Sequence, residues 1–158
     1  MPVILLLDNT ILSNFGQVRR PDVLFDLWST VMATTLPVME EYQNGVISRS
    51  LAVHAWENVA VLEPTVEEIA FAGQLPGDLG DGERSCLAIA IPRKGWIASD
   101  DLKARLVANQ YGIGVTGTIG AFKEALKHQI LDLRTANTLL KKMIAAGYRS
   151  PVLDFGKL

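Results

Sequence analysis

Short, uninterrupted apolar runs alternate along this chain with stretches whose apolar residues recur at helical spacing. Val3-Ile4-Leu5-Leu6-Leu7 is the first such run, and Asp8 ends it. Five apolar residues without alternation predict a strand buried on both faces, as inside a parallel sheet. Trp96 to Ser99 and Ile113 to Thr116 predict two more such strands. Thr10 to Gln17 fits a short helix. Val23, Leu24, Leu27, Trp28 and Val31 mark a second one over Pro21 to Met32, with proline in its first turn. Leu36-Pro37-Val38 reads as a brief extended piece before a helix at Met39 to Tyr42, which Asn44-Gly45 ends. Val46 to His54 reads as a further helix and Trp56 to Leu62 as a strand. Thr65-Val66-Glu67-Glu68 has the capping-box pattern of a helix start, and Leu75 to Gly82 is a Gly/Pro/Asp loop. Helices are predicted over Glu83 to Ile91, stopped by Pro92, over Asp101 to Gln110 and over Thr118 to Gln129. A last amphipathic helix carries Leu139, Leu140, Met143 and Ile144, with Gly147 as its stop.

Strands alternating with helices of about ten residues imply βαβ units. The expected fold is α/β: a three-layer α/β/α sandwich with a central, mainly parallel sheet, as one domain over residues 1–158. The length of 158 residues suits one domain and a full core without disulfides. Lys and Arg total 15 against 17 Asp and Glu, a net charge of −2, which excludes a generic basic nucleic-acid coat protein. At 49% hydrophobic and 20% charged residues, a disordered acidic chain is excluded too. Cys86 is the only cysteine, so no internal bridge exists. The Val3–Leu7 run is too short for a signal segment or a membrane span, so a cytoplasmic location is expected.

Acids fall at the predicted strand ends. Asp8 ends the first strand, and Asp100 and Asp101 end the Trp96–Ser99 strand. Carboxyl ends of parallel strands share one edge of the sheet, where ligands bind. Glu83 heads a helix after Gly82, and Glu41 lies at a helix start, so these acids are expected to converge. Two carboxylates about 5 Å apart repel by roughly 3 kcal/mol at an effective dielectric near 20, and a divalent cation reverses that term. All-oxygen donors select Mg²⁺ or Mn²⁺ over zinc, and His54, His128 and Cys86 stand alone in the sequence. Hard ions on carboxylates suit phosphodiester chemistry.

Asp8-Asn9-Thr10, Val38-x-x-Glu41, Gly82-Glu83-Arg84-Ser85-x-x-Ala88 and Ser99-Asp100-Asp101-x-x-Ala104-Arg105 together resemble the PIN-domain nucleases. Val115-Thr116-Gly117-Thr118-Ile119-Gly120 and the closing Ala146-Gly147-Tyr148-Arg149 resemble the branch with Gly-Glu in place of the usual third aspartate. The resemblance covers about residues 3 to 150. It implies that Asp8, Glu41, Glu83 and Asp101 are catalytic acids. Asp8, Glu83 and Asp101 would bind metal, with Asp100 sharing or replacing the role of Asp101. It implies that Thr10 supports the first aspartate. The implied activity is Mg²⁺- or Mn²⁺-dependent cleavage of single-stranded RNA. Many members are VapC-type toxins, usually homodimers, held inactive by a small antitoxin. The first motif departs from the commoner Asp-Thr-Ser, and residues 46–63 match poorly.

Bland readings stand beside these. Asp8 and Asp100 suit helix N-caps, and Glu83 suits the positive end of a helix dipole. Taken jointly at aligned strand ends, the acids favour a site. Gly112-x-Gly114-x-x-Gly117 matches a dinucleotide motif, but its glycines lie around a strand rather than opening a helix. Thr116 and Thr118 are expected near the acidic pocket. Asp8-Asn9-Thr10 also resembles the nucleophile loop of haloacid-dehalogenase-like phosphatases, which carry a second aspartate where this chain has Thr10. Arg84 and Arg105, with Arg19, Arg20, Arg49, Arg93, Lys94 and Lys103, are candidates for a phosphate-binding rim. Trp28, Trp56 and Trp96 read as core or interface anchors, and Cys86 as a buried small residue. Two other functions stay open: a non-catalytic RNA- or partner-binding module of PIN type, and a housekeeping RNA-processing nuclease.

Overall fold

The computed structural model describes residues 4–157. Its first strand, β1 (Leu5–Leu7), is the core of the predicted apolar run; Val3 lies outside the described residues. All three leucines are at most 2% exposed. Successive strand side chains face opposite ways, so both faces of β1 are covered. β1 leads to α1 (Asn9–Gln17), which Asp8 caps by accepting from Asn9 N at 2.7 Å.

The predicted helix over Pro21 to Met32 is two elements. α2 (Asp22–Trp28) ends in exposed Ser29-Thr30, and Val31 N closes a turn on Trp28 O at 2.9 Å. The chain then enters β2 (Met32–Thr34), which pairs parallel with β1. Thr34 Oγ1 donates to Leu7 O at 2.7 Å and ties the two strand ends together.

Leu36-Pro37-Val38 is helical rather than extended. Thr35 caps α3 (Leu36–Arg49), and Pro37 lies in the first turn, where its missing N–H costs nothing. The helix passes through Asn44-Gly45 and stops only at Ser50, in the left-handed region at φ 54°. No separate helix runs from Val46 to His54. The strand expected over Trp56 to Leu62 shrinks to β3 (Ala60–Val61), an exposed edge; Trp56 is instead a core residue, and its indole donates to Leu12 O.

The capping box at Thr65 forms in full and opens α4 (Val66–Ala72). α5 (Asp81–Ala90) starts two residues earlier than expected. β4 (Trp96–Ala98), α6 (Leu102–Gln110), β5 (Gly114–Thr116), α7 (Thr118–Lys127) and α8 (Leu133–Ala145) follow close to the expected bounds, but β5, expected to be buried on both faces, is an edge strand and only half-buried. Asp101, not Asp100, caps α6. Of the three tryptophans, Trp28 and Trp56 are buried and Trp96 is 39% exposed.

The five strands form one sheet in the order β3-β2-β1-β4-β5, and every pair is parallel. α5 lies against β1 and β4 and is packed in turn by α3, α4 and α6, while α7 lies on β5 and packs α2 and α8. The result is a three-layer α/β/α sandwich. Strand order runs outward from β1 through β2 to β3, then returns to β4 on the other flank of β1. Such a reversal leaves a crevice at the carboxyl ends of the two strands beside it, here β1 and β4. Asp8 follows the first, and Ser99-Asp100-Asp101 the second. No helix among the described residues is long and apolar enough to cross a membrane.

Candidate active site

Four elements bring acids to the crevice: the end of β1 (Asp8), the second turn of α3 (Glu41), the first turn of α5 (Glu83) and the cap of α6 (Asp101). Asp8 is 2% exposed. Its Oδ2 accepts from Ser99 Oγ at 2.6 Å and its Oδ1 from Asn9 N at 2.7 Å. The same Ser99 oxygen accepts from Asp101 N at 3.1 Å, so one hydroxyl joins the first and the fourth acids. Glu41 Oε1 accepts from Gly82 N at 3.0 Å, and Glu83 Oε2 from Gly80 N at 2.8 Å. Asp101 Oδ2 accepts from Ala104 N at 2.9 Å. Each of these three carboxylates is thus held by one oxygen on main-chain N–H. Oε2 of Glu41, Oε1 of Glu83 and Oδ1 of Asp101 accept no hydrogen bond among the described residues.

The electrostatics follow first from burial and then from the neighbouring acids. Burial is the main reason the Asp8 carboxyl is pushed from 3.8 up to about 7; bonds from Ser99 and Asn9 oppose it, and the Glu83 and Glu41 charges add to it. Glu83 is also raised, first by burial and then by Asp101 and Glu41, against the Gly80 N–H bond and Lys103. Lys103 is held 3.0 Å from Asp78 on the surface, and this ion pair is the main cause of its raised pKa, to which Asp101 and Glu83 contribute. In this arrangement no three His, Cys, Asp or Glu side chains among the described residues gather closely enough to hold an ion. The donor set nevertheless fits a hard cation: all oxygen, mutually repelling, and short of positive charge.

Asp100 takes a different path from Asp101. Its Oδ1 accepts from Thr118 N at 2.9 Å, and its Oδ2 from Thr118 Oγ1 at 2.5 Å and Asn14 Nδ2 at 3.3 Å. Both oxygens are engaged in tying α7 and α1 to the end of β4, so the expectation that Asp100 shares a metal with Asp101 is not met by its geometry. Thr10 serves the same tie: its Oγ1 accepts from Asp100 N at 2.9 Å and makes no bond to Asp8. Thr118 is fully buried beside Asp100 rather than facing the acids. Thr116 contributes its carbonyl, which accepts from Ser99 N and Arg105. A side chain at Gly117 would put Cβ 2.5 Å from Asp100 Oδ1 and 3.2 Å from Ser99 O. Gly117→Ala is therefore expected to lower stability by about 2 kcal/mol, read from the urea midpoint; an unchanged midpoint would show that this strand end can yield.

The two arginines expected at substrate phosphates are spent on carbonyls. Arg84 Nη1 donates to Ala72 O and Leu75 O, and its Nη2 to Pro76 O, which pins the 73–80 loop. Arg105 Nη1 joins Ser99 O to Thr116 O across the ends of β4 and β5. Arg20, Arg93 and Lys103 pair with Asp22, Glu68 and Asp78. His54 and His128 sit on the surface beside Glu57 and Glu124. Cys86 is buried, and desolvation raises its thiol, as for an inert core residue. A groove of about 490 Å³ between α3, α4 and α5 flanks the crevice and is lined by Glu40, Glu41, Asp81, Arg84 and Ser85.

Neither Ser99 nor Asn14 has a role that the sequence alone predicts. Ser99 was legible only as the last residue of a strand before two acids. Asn14 lies on α1 one turn past Asp8-Asn9-Thr10, and its amide meets Asp100 and Thr118 Oγ1, the latter at 3.0 Å, only through the fold.

No curated protein matches the chain. The family model described as DUF3368: PIN domain matches residues 4–152. PIN domains are generally nucleases acting on phosphodiester bonds. A parallel sheet with acids at its reversal point and a match over nearly its whole length place this chain in the PIN-domain family.

Proposed function

We propose that the chain is a Mg²⁺- or Mn²⁺-dependent endoribonuclease that hydrolyses single-stranded RNA. The observation that carries this reading is the crowding of Asp8 and Glu83 with Glu41 and Asp101, in which burial and like charges raise two of the carboxyls. An arrangement this unfavourable without a cation is of use with one. Asp8, Glu83 and Asp101 would hold one or two ions, and Glu41 would complete the set or orient the attacking water. When bound, such an ion supplies charge that activates water, orients the phosphodiester and steadies the leaving oxygen. The chain's own part is to keep oxygens aimed: Ser99 fixes Asp8, Gly82 N fixes Glu41, Gly80 N fixes Glu83 and Ala104 N fixes Asp101.

The motif resemblance supports a narrower reading: the toxin of a type II toxin–antitoxin pair, working in the cytoplasm as a homodimer and silenced by a small antitoxin. The test is direct. An end-labelled single-stranded RNA is expected to be cut in Mn²⁺ or Mg²⁺ and to survive in EDTA. Survival in all three would leave a non-cutting module, and cutting that persists in EDTA would point to a contaminant. Growth arrest on induction, relieved by coexpressing a small adjacent gene product, is expected of a toxin. Its absence would favour a housekeeping nuclease.

A further inference from the structure

We propose that Arg49, Lys123 and Arg149, arrayed around Tyr148, form the track that holds the sugar-phosphate backbone of single-stranded RNA beyond the acidic crevice. This rests on the nuclease reading and names the surface it uses.

Two hollows lie on the Asp100 side of the β4 end. One, of about 430 Å³, is lined by Arg105, Lys123, Tyr148 and Arg149. The other, of about 190 Å³, is lined by Thr10, Asn14, Arg49, Tyr148 and Arg149. They share Asp100, Tyr148 and Arg149 and so adjoin one another. Asp100 is their one acidic lining residue, and its oxygens are already engaged by Thr118 and Asn14. Arg49, Lys123 and Arg149 are exposed. Among the described residues, none of the three has an acid within ion-pair distance, while Arg20, Arg93 and Lys103 each have one.

On a chain of net charge −2, this leaves unpaired cations gathered along a concave strip. Phosphates on a flexible strand suit such a strip, and an aromatic ring set among cations can take the flat face of a base. Tyr148 is half-buried, and its phenol is held well above its ordinary value, chiefly by burial and then by Asp100, so it stays neutral. The strip joins the crevice through consecutive residues: Asp100 faces the hollows and Asp101 caps α6 beside Glu83. A strand lying in the hollows therefore needs only to pass the end of β4 to reach the acids.

The test measures anisotropy of a labelled single-stranded RNA with the Asp8→Asn chain, which binds without cutting. Adding Lys123→Ala and Arg149→Ala together is expected to weaken binding on the order of tenfold and to lower the log–log salt slope by about 1.4, about 0.7 for each lost phosphate contact. Lys141→Ala with Lys142→Ala, an equal charge change on α8, is expected to alter binding less than about twofold. Two unrelated RNA sequences are expected to lose equally, because phosphate contacts carry no sequence. The track is overturned if the two double variants bind alike, if the loss is confined to one sequence, or if the Asp8→Asn chain shows no salt-dependent binding. Cleavage by the unmutated chain is read separately. Cutting with unaltered binding by the Lys123/Arg149 variant removes the track and keeps the nuclease. Binding that depends on the track without any cutting does the reverse.

Discussion

Replacing Asp8 by asparagine is expected to abolish metal-dependent RNA cleavage and, in EDTA, to flatten the fall in stability that the parent chain shows toward neutral pH. The Asp8 carboxyl ionises at about 7 in the folded chain against 3.8 ordinarily. Between those values the folded state keeps a proton that the unfolded state has released. Raising the pH through this window therefore favours unfolding, and the penalty is complete above about 7. At about 1.4 kcal/mol per pH decade, the metal-free protein gives up on the order of 4 kcal/mol. Asparagine keeps the shape and loses the charge, so its stability carries a fixed offset without this slope. Added Mn²⁺ is expected to restore the parent's melting temperature at pH 7.5 and to leave the variant's unchanged, since only the parent binds the ion tightly. Activity is expected to drop more than about a hundredfold, beyond the loss typical of groups that merely orient metal ligands. Parallel pH–stability curves for the two proteins, or cutting that survives the substitution, would remove Asp8 from the centre of the site.

Adjacent Asp100 and Asp101 are expected to fail in opposite ways. Asp100→Ala removes the acceptor for Thr118 N, Thr118 Oγ1 and Asn14 Nδ2. Thr118 is fully buried and Asn14 7% exposed, so water cannot readily replace the lost carboxylate. The expected cost is about 3 kcal/mol, from charge-assisted bonds lost and donors left unpaired. Asp101→Asn keeps a good N-cap for α6 and is expected to cost less than about 1 kcal/mol. Its effect should fall on catalysis: cleavage at saturating RNA collapses while the urea midpoint hardly moves. The diagnostic comparison is activity per folded molecule. If Asp100→Ala proves as stable as its parent and inactive, and Asp101→Asn remains active, the roles assigned to the two acids must be exchanged.

This division was not legible in the chain, where the two acids read as interchangeable strand-end residues. It depends on which way each side chain leaves the end of β4, and that is decided by Thr118 and Asn14, whose positions come from other elements. β1 and β4 were legible because dense apolar runs with an abrupt acidic end mean a strand buried on both faces. β2 was not, because Met32-Ala33-Thr34 is short and Val31 continued the helical spacing of α2. Missing β2 also hid the reversal of strand order between β1 and β4. Pro37 read as a break, whereas a proline in the first turn is compatible with the helix; Glu41 therefore belongs to a long continuous α3. Nearness in sequence points to a rim of cations beside the motif acids. Arg84 and Arg105 are close to those acids in sequence but are bonded to carbonyls, while Lys123 and Arg149 are remote in sequence and flank the same hollow.

The Ser99 hydroxyl has a direction. Its lone pair is taken by Asp101 N and its proton goes to Asp8 Oδ2, so it works as a one-way plug between segments 91 residues apart. Leu7 pairs with Ala98 in the β1–β4 register. A slip of one residue there would turn Ser99 toward the opposite face of the sheet. The Asp8 carboxylate would lose its donor and the Asp101 main-chain N–H its acceptor together, making the alignment of two short strands the mechanical fuse of the whole acidic assembly.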